Sequence, residues 1–187
     1  MDSISRGYHD HDLFERSHEI DNYKREDTCP TIIKCSCPTS TILPIGALVG
    51  TTFTLASLTL DTSCLCDPIV KLEFASNIVT PIAAIGAFSV RVFKQCRGQI
   101  TPVPIGSEWL FSVGEIEIGV EGASTLSFFI CDNNLCSDDC CTYTVVATVT
   151  TIIALGTINI NNATLGAIAT CNSNKCKKYC RRNCHCE

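Results

Sequence analysis

The sequence has little of what enzymes and metal modules require. It contains four histidines in 187 residues, and His185 is the only one beyond residue 18. Cys-x2-Cys pairs, a Gly-x-Ser-x-Gly elbow and a phosphate-binding loop are all missing. Their absence argues against zinc ribbons, thioredoxin-like redox centres, serine hydrolases and nucleotide enzymes. We therefore predict that the chain is not an enzyme and needs no cofactor.

Charge and long apolar runs are also scarce. Charged residues make up 18% of the chain and the formal net charge is −5, which argues against nucleic acid as the main partner, since phosphate binding needs a basic face. The longest apolar stretches, near 78–88 and 145–155, fall short of the roughly 20 residues of a membrane-spanning helix. The first residues contain no apolar run that could serve as a signal peptide. We expect synthesis in the cytosol, no membrane span and no nucleic-acid partner.

Cysteine, in contrast, is abundant, with 15 residues in the chain. A chain of this length can bury a core without covalent staples, so the sulfurs are expected to have another role. The odd number leaves at least one sulfur without a partner in its own chain, unless it stays free. We interpret the cysteines as links between copies of one domain.

Charge and cysteine divide the chain into four parts. Residues 1–28 are polar and cysteine-free, and they predict a flexible arm. Residues 29–40 form a proline-flanked, cysteine-bearing connector, 41–170 the folded domain, and 171–187 a basic, cysteine-rich tail.

The domain reads as a series of strands. Val70, Leu72 and Phe74 alternate with Lys71 and Glu73, which is typical of a strand with one face in water. Similar runs recur from residue 51 to residue 170, separated by Gly, Pro and Asn pairs that favour turns. We predict an all-β fold, an antiparallel β-sandwich with jelly-roll topology. Eight residues are predicted to fill its core: Phe74, Phe88, Val90, Val92, Trp109, Phe128, Val145 and Val149.

The cysteines of the connector and of two loops are candidates for disulfides between subunits. Cys35 and Cys37 are the main predicted linkers and Cys29 is a third, because an extended, proline-flanked segment leaves sulfurs accessible. Their expected partners lie in a turn and in an acidic loop of a neighbouring copy. Adjacent Cys140 and Cys141 are expected to bond different partners, since a bond between them would be strained. The turn and loop candidates are Cys64, Cys66, Cys131, Cys136, Cys140 and Cys141.

The tail supports two interpretations. Five Lys and Arg residues surround its cysteines, and neighbouring cations raise the thiolate fraction, which favours both oxidation and metal ligation. We predict a mobile cross-linking arm. The alternative is a zinc-type site, for which the spacing of Cys176, Cys180 and Cys184 would place three ligands on one helix face. The candidate cross-linking residues are Cys171, Cys176, Cys180, Cys184 and Cys186. The candidate metal ligands are Cys176, Cys180, Cys184, His185 and Cys186.

Several phrases resemble an uncharacterised cysteine-rich domain family of spore-forming anaerobic bacteria. The resemblance covers about residues 35–173. In design the chain is also similar to the endospore-appendage subunits of spore-forming bacilli, which are jelly-roll domains cross-linked into fibres by disulfides. The phrases that carry the family resemblance are TFTLASLTLDTSCLCDPIVKLEFASNIVT, FSVRVFKQCRGQITPVPIGSEWLFS, FFICDNNLCSDDCCTYTVVATV and INNATLGAIATCNS.

The resemblance implies a spore-surface structural protein, made without a signal and oxidised later. Its expected partners are copies of itself, joined by a heterologous contact that propagates into a filament, and other spore-coat proteins. The sequence leaves two further functions open, a metal-binding module that uses the tail and an extracellular adhesin or binding domain that uses the loops of the sandwich.

Overall fold

The computed structural model describes residues 29–65, 67–80, 84–114, 122–133 and 140–172. Over these ranges the chain forms strands and turns, and none of the residues belongs to a helix that could cross a bilayer. The strands in the described ranges are β1 (Ile32–Cys35), β2 (Thr39–Leu43), β3 (Thr52–Asp61), β4 (Pro68–Thr80), β5 (Ile85–Cys96), β6 (Val103–Val113), β7 (Gly122–Asp132), β8 (Cys140–Leu155) and β9 (Ile158–Cys171).

The strands pair from the two ends of the chain inward, so the first strands lie beside the last one. Both β1 and β2 pair with β9, β3 pairs with β8, β4 with β7, and β5 with β6, all antiparallel. Two further ladders, β4 with β9 and β5 with β8, join these pairs into two sheets. The resulting sheets have the orders β1-β9-β4-β7, with β2 also on β9, and β3-β8-β5-β6. If β1 and β2 count as one interrupted strand, this is jelly-roll topology, which confirms the predicted antiparallel sandwich.

The core lies between the two sheets and follows the predicted alternation. On β4, Val70, Leu72 and Phe74 are buried while Lys71 and Glu73 are exposed, because successive side chains of a strand point to opposite faces. Six of the eight predicted core residues are buried: Phe74, Phe88, Val90, Val92, Val145 and Val149.

Trp109 and Phe128 differ from the prediction of full burial. Both are half-buried and pack against the core from its rim. They lie on β6 and β7, which are the last strands of their sheets, and their rings stack with centroids 3.8 Å apart. The Phe128 ring also lies 5.1 Å from the ring of buried Phe74, so the stacked pair covers the open side of the sandwich and connects it to the core.

The predicted connector is part of the sandwich. Its residues form β1 and the first two residues of β2, and both strands add to β9 at one edge of the five-stranded sheet. Pro38 separates the two strands because proline has no N–H to donate to a ladder. The hydroxyls of Thr39 and Thr41 donate to the backbone carbonyls of Leu55 and Thr54 on β3, so β2 also contacts the second sheet.

The two ends of the sandwich differ in composition. One end, here called the cysteine end, holds Cys29, Cys64, Cys96, Cys131, Cys140, Cys141 and Cys171. The opposite end, here called the apolar end, is formed by the β2–β3 loop and the last residues of β8. Its exposed apolar side chains are Ile42, Ile45, Leu48, Val49, Ile152 and Leu155.

A buried ion pair lies near the cysteine end. Lys94 Nζ on β5 is 2.9 Å from Asp132 Oδ2 on β7, and both side chains are less than a tenth exposed. The hydroxyl of Tyr143 on β8 donates to the same oxygen at 3.0 Å. Burial, and then the charge of Asp132, raise the pKa of Tyr143 well above its ordinary value, so the hydroxyl remains protonated and able to donate.

A cysteine-bearing candidate interface

Several cysteines form disulfides within the chain. Cys29 bonds Cys171 across 142 residues with a Cα–Cα distance of 5.9 Å, and this bond ties the segment before β1 to the end of β9. Cys96 bonds Cys141, which lies directly opposite it in the β5–β8 ladder. Disulfides are typical of oxidising compartments outside the cytosol. The bonds therefore indicate an extracellular environment for the folded domain.

These bonds correct part of the predicted set of linkers. Cys29 and Cys171 were expected to reach a neighbouring copy, but β1 and β9 are paired strands, so the two sulfurs face each other inside one chain. Cys141 is likewise bonded within the chain, to a residue for which the sequence predicted no role. The reason is the β5–β8 pairing, which the sequence does not reveal. Because Cys141 bonds Cys96, Cys140 has a different partner, as expected.

Cys64 and Cys140 are also disulfide-bonded, so neither offers a free thiol to a neighbour. The other predicted linkers of the turn and loop, Cys66 and Cys136, lie outside the described residues. So do the tail candidates Cys176, Cys180, Cys184, His185 and Cys186. The described part of the chain contains no group of three or more His, Cys, Asp or Glu side chains that could hold a metal ion.

Three predicted linkers are free in the structure. Cys35, Cys37 and Cys131 are unbonded and exposed to solvent. Cys35 ends β1 and Cys37 follows it, before Pro38, while Cys131 lies one residue before the end of β7. These are the described thiols that remain available for a bond to another molecule.

Cys35 and Cys131 lie on the same face of the five-stranded sheet. Cys35 on β1 is opposite Gly166 on β9, which is in turn opposite Glu73 on β4. The Cys35 Sγ lies next to the position that a Cβ atom of residue 166 would occupy. Cys131 aligns with Lys71, two residues along β4 from Glu73. Lys71 and Glu73 are exposed, which identifies this face as the outer one.

The two thiols occupy opposite edges of that face. β1 and β7 are the first and last strands of the order β1-β9-β4-β7. Three inter-strand steps of about 4.8 Å and two residues of about 3.3 Å separate the Cα atoms by roughly 16 Å. A disulfide needs a Cα–Cα distance of about 4.4–6.8 Å. Cys35 and Cys131 of one folded chain therefore cannot bond each other.

The surface between the thiols is partly apolar. Ile33, Ile168 and Phe129 are exposed there, next to an ion pair of 2.5 Å between Lys71 Nζ and Glu73 Oε1. The pKa of Lys71 is raised, first by its hydrogen bond to Glu73 and then by the charge of Glu73. The Nζ atom also lies 5.4 Å from the centre of the Phe129 ring, a cation–π distance. We call this surface, which contains Ile33, Cys35, Gly166, Ile168, Lys71, Glu73, Phe129 and Cys131, the thiol face.

The opposite sheet presents a different outer surface. Its strands β3 and β8 carry hydroxyl pairs, Ser57 with Thr144 and Thr59 with Thr142. A groove of about 310 Å³ runs along this surface beside Phe93 and Pro102. Because no described cysteine with a free thiol lies here, the two outer faces differ in the chemistry that they can offer.

Fold and site together define a disulfide-bonded jelly-roll domain with free thiols on one outer face. The chain belongs to the family described as "Domain of unknown function (DUF4489)", which matches residues 29–170. No curated protein matches the sequence.

Solved structures with a similar arrangement of strands include a viral protein and a binding module. The structure of the infectious bursal disease virus Gx strain shares 12% identity at a TM-score of 0.37, covering 80% of this chain and 33% of that chain. A non-crystalline cellulose-specific carbohydrate-binding module, CBM28, shares 14% identity at a TM-score of 0.33, covering 66% of this chain and 79% of that chain. The chain thus spans a third of the viral chain. Similarity at this level carries no inference about function.

Proposed function

We propose that the chain is a structural, non-enzymatic subunit whose copies join edge to edge and are then cross-linked by disulfides. The observation that carries this proposal is the placement of two free thiols, Cys35 and Cys131, on one face but at opposite edges of one sheet. In surroundings that oxidise the other described cysteines, an exposed thiol that has no partner among the described residues is available for a bond with a second molecule.

The geometry of the edges favours a continuous sheet. The strands β1, β9, β4 and β7 alternate in direction, so β7 of one copy and β1 of the next are antiparallel when both copies have the same orientation. Among the described residues, β1 and β7 each have a ladder on one side only. An added strand satisfies the open backbone donors and acceptors of such an edge.

The same contact brings the thiols together. When Cys35 of one copy stands opposite Cys131 of the next, both side chains remain on the outer face, because residues that are paired in a ladder point the same way. Cys37 reaches the same position if the register shifts by two residues, which preserves the face. The proposed link is therefore between Cys131 and either Cys35 or Cys37 of a neighbouring copy.

Such an assembly propagates. The surface around β1 meets a different surface around β7, so the contact is heterologous and leaves a free edge on each terminal copy. A filament or layer forms unless the rotation between copies closes a ring. Each disulfide then converts a reversible contact into one that dissociates only after reduction.

The finer proposal is that this assembly is a fibre or coat layer on a spore surface. It is supported by the resemblance of the sequence to cysteine-rich proteins of spore formers and by the indication of an oxidising environment. Residues 1–28 and the tail from residue 171 serve in this proposal as an arm and as a second cross-linking segment that contacts further coat proteins. Immunogold labelling of spores, with and without reductant extraction, tests this location.

The cross-linking proposal is tested on gels after heating in detergent. We expect a ladder of oligomers that collapses with reductant and that is lost in the Cys35→Ser/Cys37→Ser double variant and in the Cys131→Ser variant. Cys29→Ser is the matched control, since it removes a bond within one chain and should leave the ladder. A ladder that persists in the triple variant of Cys35, Cys37 and Cys131 would contradict the proposal.

Two other functions remain open predictions. The metal-binding module rests on tail residues outside the described ranges, and zinc analysis of anaerobically purified protein tests it. For a binding domain, the supporting feature is the groove beside Phe93, whose lining includes Thr142 and Thr144. A Phe93→Ala variant that loses binding to spore-wall glycans in pull-down assays would favour that role.

A further inference from the structure

A lysine and an aspartate meet in the core between the two sheets. Lys94 belongs to β5 of the four-stranded sheet and Asp132 to β7 of the five-stranded sheet, so their 2.9 Å contact crosses the sandwich. The two side chains are 8% and 4% exposed. Lys94 lies opposite Tyr143 on β8 and Val103 on β6, and Asp132 lies opposite Val70 on β4. Tyr143 and Val70 are fully buried, whereas Val103 is about half exposed.

The contact allows a proton transfer that generates a nucleophile. A proton can pass from Nζ to Oδ2 along their hydrogen bond, which leaves a neutral amine beside a carboxylic acid. Burial makes separated charges more costly than they are in water, so the cost of this transfer is smaller between the sheets than at the surface. The neutral amine then carries a lone pair within reach of the carboxyl carbon, and little water is present to compete with it.

We propose that Lys94 and Asp132 condense to form an intramolecular amide bond that links the two sheets. The bond between Nζ and Cγ forms, the bond between Cγ and Oδ2 breaks, and the oxygen leaves as one molecule of water that takes up the two protons lost from the neutral amine and the acid. No oxidant, reductant or cofactor is required. The inference does not depend on the proposed cross-linking of copies.

Tyr143 is placed to assist this reaction. Its hydroxyl donates to Asp132 Oδ2 at 3.0 Å, the oxygen that also contacts Lys94. Because Oδ2 is the oxygen that leaves as water, a donor already aimed at it assists the departure of that oxygen. The same hydroxyl holds the carboxyl group in position for attack.

The exposed pair Lys71–Glu73 provides an internal control. Its 2.5 Å contact is even shorter, but the side chains are 45% and 56% exposed. Water surrounds these groups and the pKa of Lys71 is raised by its hydrogen bond to Glu73, so the ammonium keeps its proton and has no free lone pair. A close lysine–carboxylate contact alone therefore does not predict an amide, whereas the same contact in a dry core does.

Mass spectrometry of the full chain tests the proposal directly. The protein is completely reduced and alkylated, so that disulfides make no contribution to the mass. We expect the chain to be lighter than its sequence mass, after correction for alkylation, by one water molecule. Trypsin should fail to cleave after the acylated Lys94, and the digest should contain a branched peptide that joins the segments of Lys94 and Asp132.

Variants assign the reaction to these residues. The loss of water should disappear in Lys94→Met and in Asp132→Ala and persist in Lys71→Met. In Tyr143→Phe it should occur about 100-fold more slowly, the lower end of the effect of a group positioned to assist a proton transfer. The measurement on the unaltered protein does not depend on whether the variants fold. A reduced chain of full sequence mass, with normal cleavage after Lys94, would overturn the inference, and so would a water loss mapped to other residues.

Discussion

The two ends of the sandwich are stabilised by different interactions. The cysteine end combines the Cys29–Cys171 and Cys96–Cys141 disulfides with the buried contact between Lys94 and Asp132. The apolar end has no cysteine among its described residues. There, Leu43, Ile153 and Ile158 close the core, while backbone amides of the β2–β3 loop donate to carbonyls of β8.

The difference predicts which end of the sandwich loses its structure first in heat or detergent. Covalent bonds persist when apolar packing weakens, so heat or detergent should loosen the apolar end first. The free thiols Cys35 and Cys131 lie on the five-stranded sheet, and the Cys29–Cys171 bond ties the β1 edge of that sheet to β9. Cross-links between copies would thus attach to the more persistent part of each domain.

Removal of Lys94 should have the largest effect on stability. Lys94→Met removes the contact between the two sheets and leaves the carboxyl of Asp132 buried, and breaking a buried pair in this way costs about 3 to 5 kcal/mol. The free energy of unfolding, measured in urea, should fall by that amount. Lys71→Met is the control, because an ion pair in contact with solvent contributes little to stability. Equal losses for the two variants would show that burial of the pair has no special effect.

Loss of the Cys29–Cys171 bond should have the next largest effect. A bond that closes a long loop contributes typically about 2 to 4 kcal/mol by restricting the unfolded chain. Cys29→Ser should therefore lower the urea midpoint of the oxidised protein, and added reductant should shift it less than in the unaltered chain. Cys35→Ser, which changes a free surface thiol, should leave the midpoint within about 0.5 kcal/mol of the original.

The open side between β6 and β7 should be less sensitive than the centre of the core. Truncation of a buried aromatic such as Phe74 to Ala costs about 3 to 5 kcal/mol. Phe128→Ala and Trp109→Ala should cost about 2 kcal/mol each, because part of each ring already contacts water and the remaining loss includes their stacking. Thermal unfolding checks the order. Near-native melting of both rim variants would contradict the proposed role of this stack in closing the sandwich.

The smallest effect is expected in the loop at the apolar end. Gly50 has a φ of 87°, and a Cβ atom there would have no neighbour within 4 Å, so Gly50→Ala tests backbone strain alone. The left-handed conformation costs other residues about 1 to 2 kcal/mol. Gly114→Ala is the matched control, since its Cβ position is also open but its φ is not in the positive range. If the two variants melt alike, the loop does not hold the conformation described.

Much of the fold could be predicted from the sequence because burial follows strand alternation. The pattern of residues 70–74 specified which side chains of β4 point inward, and the same reasoning located most of the core. The alternation pattern did not identify β1. This strand has only four residues with little alternation, and the two prolines and three cysteines in and around it are not typical of a strand. Strand order could not be predicted either, since it depends on contacts between residues far apart in the chain.

The candidate site was predicted only in part, for the same reason. The accessible character of Cys35 and Cys37 follows from their local sequence. The bond between Cys96 and Cys141 depends on the register of β5 and β8, and the contact of Lys94 with Asp132 depends on how the two sheets face each other. Alternation gives one hint, since Lys94 occupies an inward position between Val92 and Cys96, and a buried lysine needs a partner.

The central claim is that neighbouring copies are linked through opposite edges of the thiol face, and isotope mixing tests it most directly. Unlabelled and ¹⁵N-labelled chains are mixed under reducing conditions, allowed to assemble and oxidise, and digested without reductant. The account predicts disulfide-linked peptides that join Cys131 of one isotope to Cys35 or Cys37 of the other. Peptides in which Cys35 and Cys131 bond other residues, or only residues of the same isotope, would contradict it.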